Sequence, residues 1–154
     1  MPIQIDIAIE DQNWNKLALD LEHLCARAVQ SADQKAEGEL SIAFVDDRAI
    51  QKLNAQYRGQ NKPTNVLSFP MKGPMMGDIV LARETILAET AQQNKSLADH
   101  VTHLIVHGFL HLLGFDHQDD EQAAEMESLE KKALAQLGID NPYQINEPSM
   151  IKRK

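Results

Sequence analysis

The sequence predicts an α+β domain in which a mixed sheet of about four strands is covered by helices. Three observations carry this reading. Ile3, Ile5, Ile7 and Ile9 alternate strictly with other residues, the period of a half-buried strand. Three further short apolar runs are interspersed with segments that show helical spacing of apolar side chains. Two of those runs, 66–69 and 77–82, are joined by a loop too short for a crossover helix, so at least one pair must be antiparallel. The chain has 154 residues, a length that suits one domain able to bury about two-thirds of its unfolded surface.

After the first strand, Trp14, Leu17, Leu21, Leu24, Cys25 and Ala28 recur at helical intervals, which predicts one amphipathic helix over 13–31. Cys25 falls on its apolar face, where a free thiol is a packed core group rather than a nucleophile. The run 39–45 (ELSIAFV) is the second strand. Asp46 and Asp47 can cap a helix running to about Tyr57. Gly59, Asn61 and Pro63 mark 58–65 as a loop carrying Arg58. The strand 66–69 is stopped by Pro70, and 77–82 (GDIVLA) is the fourth strand. Residues 84–94 read as a helix. Ser96 can cap another from Leu97 to Leu113, which Gly114 ends. Asp119, Asp120 and Glu121 suit the positive end of a last helix to about Leu137, and 138–154 reads as a loose tail.

Hydrophobic residues make up 43% and charged residues 25% of the chain, as in soluble globular proteins. No stretch approaches the roughly 18 uncharged apolar residues of a membrane span, since the most apolar one, 101–115, is interrupted by histidines. The first residues lack a basic leader and an apolar core, and the single cysteine allows no internal disulfide. The expectation is a cytoplasmic protein without a membrane partner. Net charge is −8, but it is unevenly spread: residues 48–95 carry 7 basic and 3 acidic side chains, whereas 96–130 carry 8 acidic and no Lys or Arg. An acidic protein with a basic middle segment can still meet an anionic partner there.

The chemistry concentrates in HGFLHLLGFDH, residues 107–117. His107 and His111, four apart, share one helical face about 6 Å apart along the axis. Gly114 permits the chain to turn back and bring His117 to the same point. Three imidazoles leave one position open on a tetrahedral ion, the pattern of catalytic zinc, although nickel, copper or iron would also suit them. The metal site is therefore expected on a helix of the C-terminal half and the turn after it. The spacing matches that of metzincin peptidases, but those have glutamate after the first histidine. Gly108 stands there instead, so a peptidase would lack its proton acceptor. Asp116 is either a turn residue or a group that orients a ligand. His100 and His103 lie on nearly the same stripe and read as supporting or surface groups outside the ligand set, and His23 reads as a surface residue.

Three blocks in order, LNAQYRGQNKPTNVLSFP at 53–70, GDIVLA at 77–82 and the histidine segment at 107–117, resemble the YbeY-type endoribonucleases that mature ribosomal RNA. The resemblance implies a zinc-dependent, single-strand-directed endoribonuclease acting in 3′-end maturation of 16S, the small-subunit rRNA, and in ribosome quality control. Its partners would be rRNA and the ribosome or a ribosome-bound protein. His107, His111 and His117 would bind the metal, and Arg58 would be the functional arginine of the first block. The family more often has Asp where this chain has Asn65 and Tyr where it has Phe115, and neither change removes a ligand. Arg58, with Lys62 and Lys72, could compensate the charge of a phosphodiester in its transition state. The alternative is a non-catalytic ribosome-assembly factor whose metal only holds the fold. The general base stays unassigned.

Overall fold

The computed structural model describes residues 3–33, 37–71, 75–116 and 118–143. Strand β1 (Gln4–Ile9) is followed by a 3-10 turn (Gln12–Leu17), helix α1 (Leu21–Ala32), strand β2 (Glu39–Val45), helix α2 (Asp47–Arg58), strands β3 (Val66–Pro70) and β4 (Met75–Ala82), and helices α3 (Arg83–Gln93), α4 (Leu97–Leu112) and α5 (Asp120–Gln136). The sheet order is β1-β2-β4-β3. β1 and β4 both run parallel to β2, and β3 pairs antiparallel with β4 at the edge. This is the mixed α+β architecture that the alternation and the short 66–82 hairpin predict. Pro70 is tolerated because it ends an edge strand.

The pleat sorts the core into two layers. Leu40, Ile42 and Phe44 of β2 and Ile79 and Leu81 of β4 face α1 and α4 in the larger cluster. Val45, Val80 and Ala82 point the other way, onto Ile50 of α2, with Leu67 and Phe69 beside them. Cys25 is fully buried in the larger cluster, and burial pushes its thiol up to about 12, so it is an inert core group. His23 is exposed.

The helix expected over 13–31 is in fact two elements. Asp11 caps the 3-10 turn by accepting from the Asn13 amide, Ala18 takes a left-handed φ of 57°, and Asp20 caps α1 by accepting from the His23 amide. The two caps outweigh the continuous apolar spacing. The break drops Trp14 into the core, where its Nε1 donates to the Val45 carbonyl at 2.9 Å. The expected loose tail is also corrected for its described part. Gly138 turns the chain with φ 76°, Ile139 packs on the core, and Lys95 Nζ donates to the Pro142 carbonyl. Residues 144–154 of that tail lie outside the described residues. Among the described residues no helix is long and apolar enough to cross a membrane.

Candidate metal centre

Helix α4 starts at Ser96, whose hydroxyl accepts from the Asp99 amide, and its apolar side chains seat it on the sheet. Its four histidines then follow one stripe: His100, His103, His107 and His111, with neighbouring ring centroids 6.2, 6.2 and 4.7 Å apart. Gly108 explains how the stripe comes so close to the sheet. A Cβ there would meet Ile79 Cγ2 at 3.2 Å, tighter than an ordinary contact, so a glutamate like that of a metzincin would have to push Ile79 back.

Each ring is held by an oxygen. His100 Nε2 lies 2.8 Å from Glu89 Oε1, and Glu89 also accepts from Asn65 Nδ2 at 3.0 and 3.1 Å. His103 Nε2 lies 2.8 Å from Glu130 Oε1, and His107 Nδ1 lies 2.7 Å from Glu130 Oε2. His111 Nδ1 lies 3.0 Å from the Phe115 carbonyl oxygen. Tyr143 donates its hydroxyl to Glu130 Oε1 at 2.5 Å and sets its ring edge-on to His103. Burial opposes the ionisation of Glu130, but the hydrogen bonds from His103, His107 and Tyr143 hold its carboxyl at about 2. Burial lowers the His103 pKa against the pull of Glu130. A similar balance of burial against His100 and Asn65 leaves Glu89 below the usual carboxylate range.

His103, His107 and Glu130 thus bring one ligand-type atom each within 4.8 Å of one another, a His/His/Glu cluster of the kind that holds a divalent ion. The hydrogen bonds specify more. An oxygen acceptor facing Nδ1 of His107 and of His111 assigns a proton to each Nδ1. Each Nε2 then presents a lone pair, and the two Nε2 atoms are 3.2 Å apart. Two imidazole nitrogens on one tetrahedral zinc at about 2.0–2.1 Å would be separated by roughly 3.3–3.4 Å. The pair therefore fits one edge of an ion's coordination shell, with Glu130 and Phe115 orienting the rings from behind.

The pair opens into a cleft of about 620 Å³ lined also by Arg58, Asn65, Ser68, Asp116 and Tyr143. Arg58 is not on a loop, as its surroundings suggest in sequence, but is the last residue of α2, with Gly59 capping the helix at φ 69°. Its Nη2 donates to the Ser68 carbonyl at 2.8 Å and its guanidinium lies 5.1 Å from the Phe69 ring centre. Of the sequence-derived candidates, then, His107, His111, Arg58 and Asp116 share one cleft. Lys62 is exposed and is not among the residues lining it. His117 and Lys72 lie outside the described residues. The surface alternative for His100 and His103 is overturned, since their exposures are 4% and 9%. His100 is packed against Glu89 of α3 and His103 against Glu130 of α5.

Sequence reasoning missed Glu130 and Tyr143. Glu130 was legible in principle: the buried face of α5 is Met126, Glu130, Ala133 and Leu134, so a carboxylate occupies an apolar helical stripe. Tyr143 carried no signal, because only the turn after α5 brings it back to the site.

The fold is shared with a solution structure of a Thermotoga maritima protein, which aligns with a TM-score of 0.58 and 23% identity over 96% of this chain and 100% of that one. Sequence relatives are closer. A protein from Agrobacterium fabrum described as endoribonuclease YbeY is 45% identical across 95% of this chain and 98% of its own length. Proteins of the same description from Rhizobium etli and Bartonella henselae are 46% and 43% identical, each across 92% of this chain and 94% and 97% of their own. The family model described as endoribonuclease YbeY matches residues 4–138, from β1 to the turn beyond α5, so the chain belongs to the YbeY family.

Proposed function

We propose that this chain is a metal-dependent endoribonuclease that cuts single-stranded RNA, with the 3′ end of 16S rRNA as its substrate and the ribosome or a ribosome-bound protein as its partner. The observation that carries the reading is the pair of Nε2 atoms 3.2 Å apart, in a cleft that Arg58 also lines. Membership of a family described as endoribonucleases supports the reaction class.

In this reading His107 and His111, joined by His117, hold the ion, with Zn2+ favoured among divalent metals that imidazoles bind. A divalent ion supplies Lewis acidity toward a phosphodiester oxygen. Arg58 binds the phosphate. A guanidinium has five N–H donors, and the bond to Ser68 fixes its fork while leaving others for phosphate oxygens. Glu130 keeps His107 in the tautomer that aims Nε2 at the cleft. The acidic balance of the chain outside 48–95 makes tight binding of naked RNA unfavourable, so a ribosomal partner would supply the positioning. The setting is the cytoplasm, where rRNA matures.

The test incubates metal-loaded protein with single-stranded rRNA fragments beside His111→Ala and Arg58→Ala. Cleavage by the parent chain, lost with His111→Ala and reduced with Arg58→Ala, is the expected result. Equal cleavage by all three would remove these residues from the reaction.

A further inference from the structure

The edge strand β3 separates the metal cleft from a second depression. Val66 and Ser68 lie toward the α4 side of the sheet and line the cleft, whose edge Leu67 also reaches, whereas the Phe69 ring lies with Leu67 in the α2 layer. Arg58 crosses this boundary. It leaves α2 on the far side, passes over the Phe69 ring and reaches the Ser68 carbonyl at the cleft. Its chain neighbour Tyr57 stays on the far side, 56% exposed, with its ring held against Phe69 at 5.3 Å and 64°. Tyr57 and Phe69 border a groove of about 490 Å³ on the open part of the sheet, floored by Ala43 and Val80 with Ser41 and Asp78 beside them. That volume is within the range of small-molecule sites, roughly 300–1,000 Å³.

We propose that Tyr57, backed by Phe69, is a stacking platform for one unpaired base of the RNA strand whose backbone is held at Arg58. The proposal rests on the endoribonuclease reading and adds the feature that would select single strands. The ring is large, apolar and exposed, yet its edge-on contact with Phe69 fixes its orientation, so little freedom is lost when a base stacks on it. Among the described residues the exposed large hydrophobic side chains are Tyr57, Met71 and Tyr143, and of these Tyr57 lines the groove. The charges favour a base as occupant. Glu10 and Asp78 on the groove repel phosphate, whereas Asp78 and Ser41 can accept from base N–H groups. Arg58, at the boundary, is the cation that faces the backbone. A duplex keeps its base faces stacked internally and could not use the platform, so the site takes single strands.

The experiment measures KM and kcat for a single-stranded oligoribonucleotide with Tyr57→Ala and Tyr57→Trp. It also measures binding of the same strand, carrying 2-aminopurine or an abasic nucleotide at successive positions, to chelated protein. Tyr57→Ala should raise KM and weaken binding about tenfold at unchanged kcat, a typical loss for one base–aromatic stack. Tyr57→Trp should retain both and quench 2-aminopurine at one position, and the abasic nucleotide at that position should weaken the parent chain but not Tyr57→Ala. If the parent chain cleaves and Tyr57→Ala keeps its KM and its affinity, the platform is wrong while the endoribonuclease reading stands; a groove that instead takes a protein partner gives that result. If the parent chain neither binds nor cleaves any strand, the endoribonuclease reading fails and the platform falls with it.

Discussion

Along α4, Val101, Ile105 and Phe109 are fully buried against other apolar side chains, while His100, His103, His107 and His111 run down a neighbouring stripe, each tied to an oxygen of Glu89, Glu130 or Phe115. The two faces share one backbone but follow different rules, and the histidine stripe rises from burial at His100 and His103 to partial exposure at His107 and His111. The apolar face is stabilised by area removed from water, and its members are exchangeable within limits of volume. An imidazole taken out of water without a partner is destabilising, so the histidine stripe exists only because other elements deliver acceptors to it. The difference predicts that damage to the first face is read as lost stability, and damage to the second as lost metal affinity.

The largest effect should come from the apolar face. Phe109→Ala removes a fully buried ring and is expected to destabilise the fold by about 3–5 kcal/mol in urea denaturation. A loss below about 1 kcal/mol would mean that α4 is not anchored by this face.

On the other face, Glu130→Gln should leave the helical circular dichroism in place and weaken zinc about 10–100-fold in competition with a chelating dye. An amide has one acceptor oxygen and an NH2 group, so it cannot place an acceptor oxygen against each of His103 and His107 as the carboxylate does. Unchanged affinity would separate Glu130 from the metal site.

Acid sharpens the same contrast. The folded-state pKa of Glu130 lies below its unfolded value, so its contribution is complete above about pH 4.5 and disappears as pH falls toward about 2. His103 is lowered from 6.5, so the neutral ring favours the fold above that pH and loses this advantage as pH falls below it. The stability of chelated protein should therefore decline from about pH 6.5 downward, and Glu130→Gln should flatten the part below 4.5. A slope unaffected by that substitution would contradict the assignment.

The smallest effect is expected from Tyr143→Phe, which keeps the ring against His103 and removes one donor to Glu130. A loss of about 0.5–1.5 kcal/mol in metal binding or stability is the scale of one hydrogen bond. A larger effect on zinc than that of Glu130→Gln would reverse the order of the network.

The fold was legible wherever local pattern and tertiary packing agree: the isoleucine alternation of β1, the capped starts at Asp46 and Ser96, and the short hairpin of β3 and β4. It was misread at 13–31, where apolar spacing continues through Ala18 but the Asp11 and Asp20 caps divide it. At the site, the spacing of His107 and His111 was sufficient because a helix places them by itself. Glu130 and Tyr143 lie 23 and 36 positions beyond His107 in the chain, and only the packing of α5 on α4 and the turn at Gly138 bring them back. Spacing within one element is local information, whereas acceptors from another element are not.

The central claim is that the ion sits on the Nε2 side of His107 and His111, with Glu130 and His103 behind. Zinc affinity of His111→Ala compared with His103→Ala tests it most directly. The account predicts a loss of at least about 100-fold for His111→Ala and only about tenfold for His103→Ala, the lower end for a group behind the ligands. The reverse order would place the ion within the His103, His107 and Glu130 cluster and contradict the account.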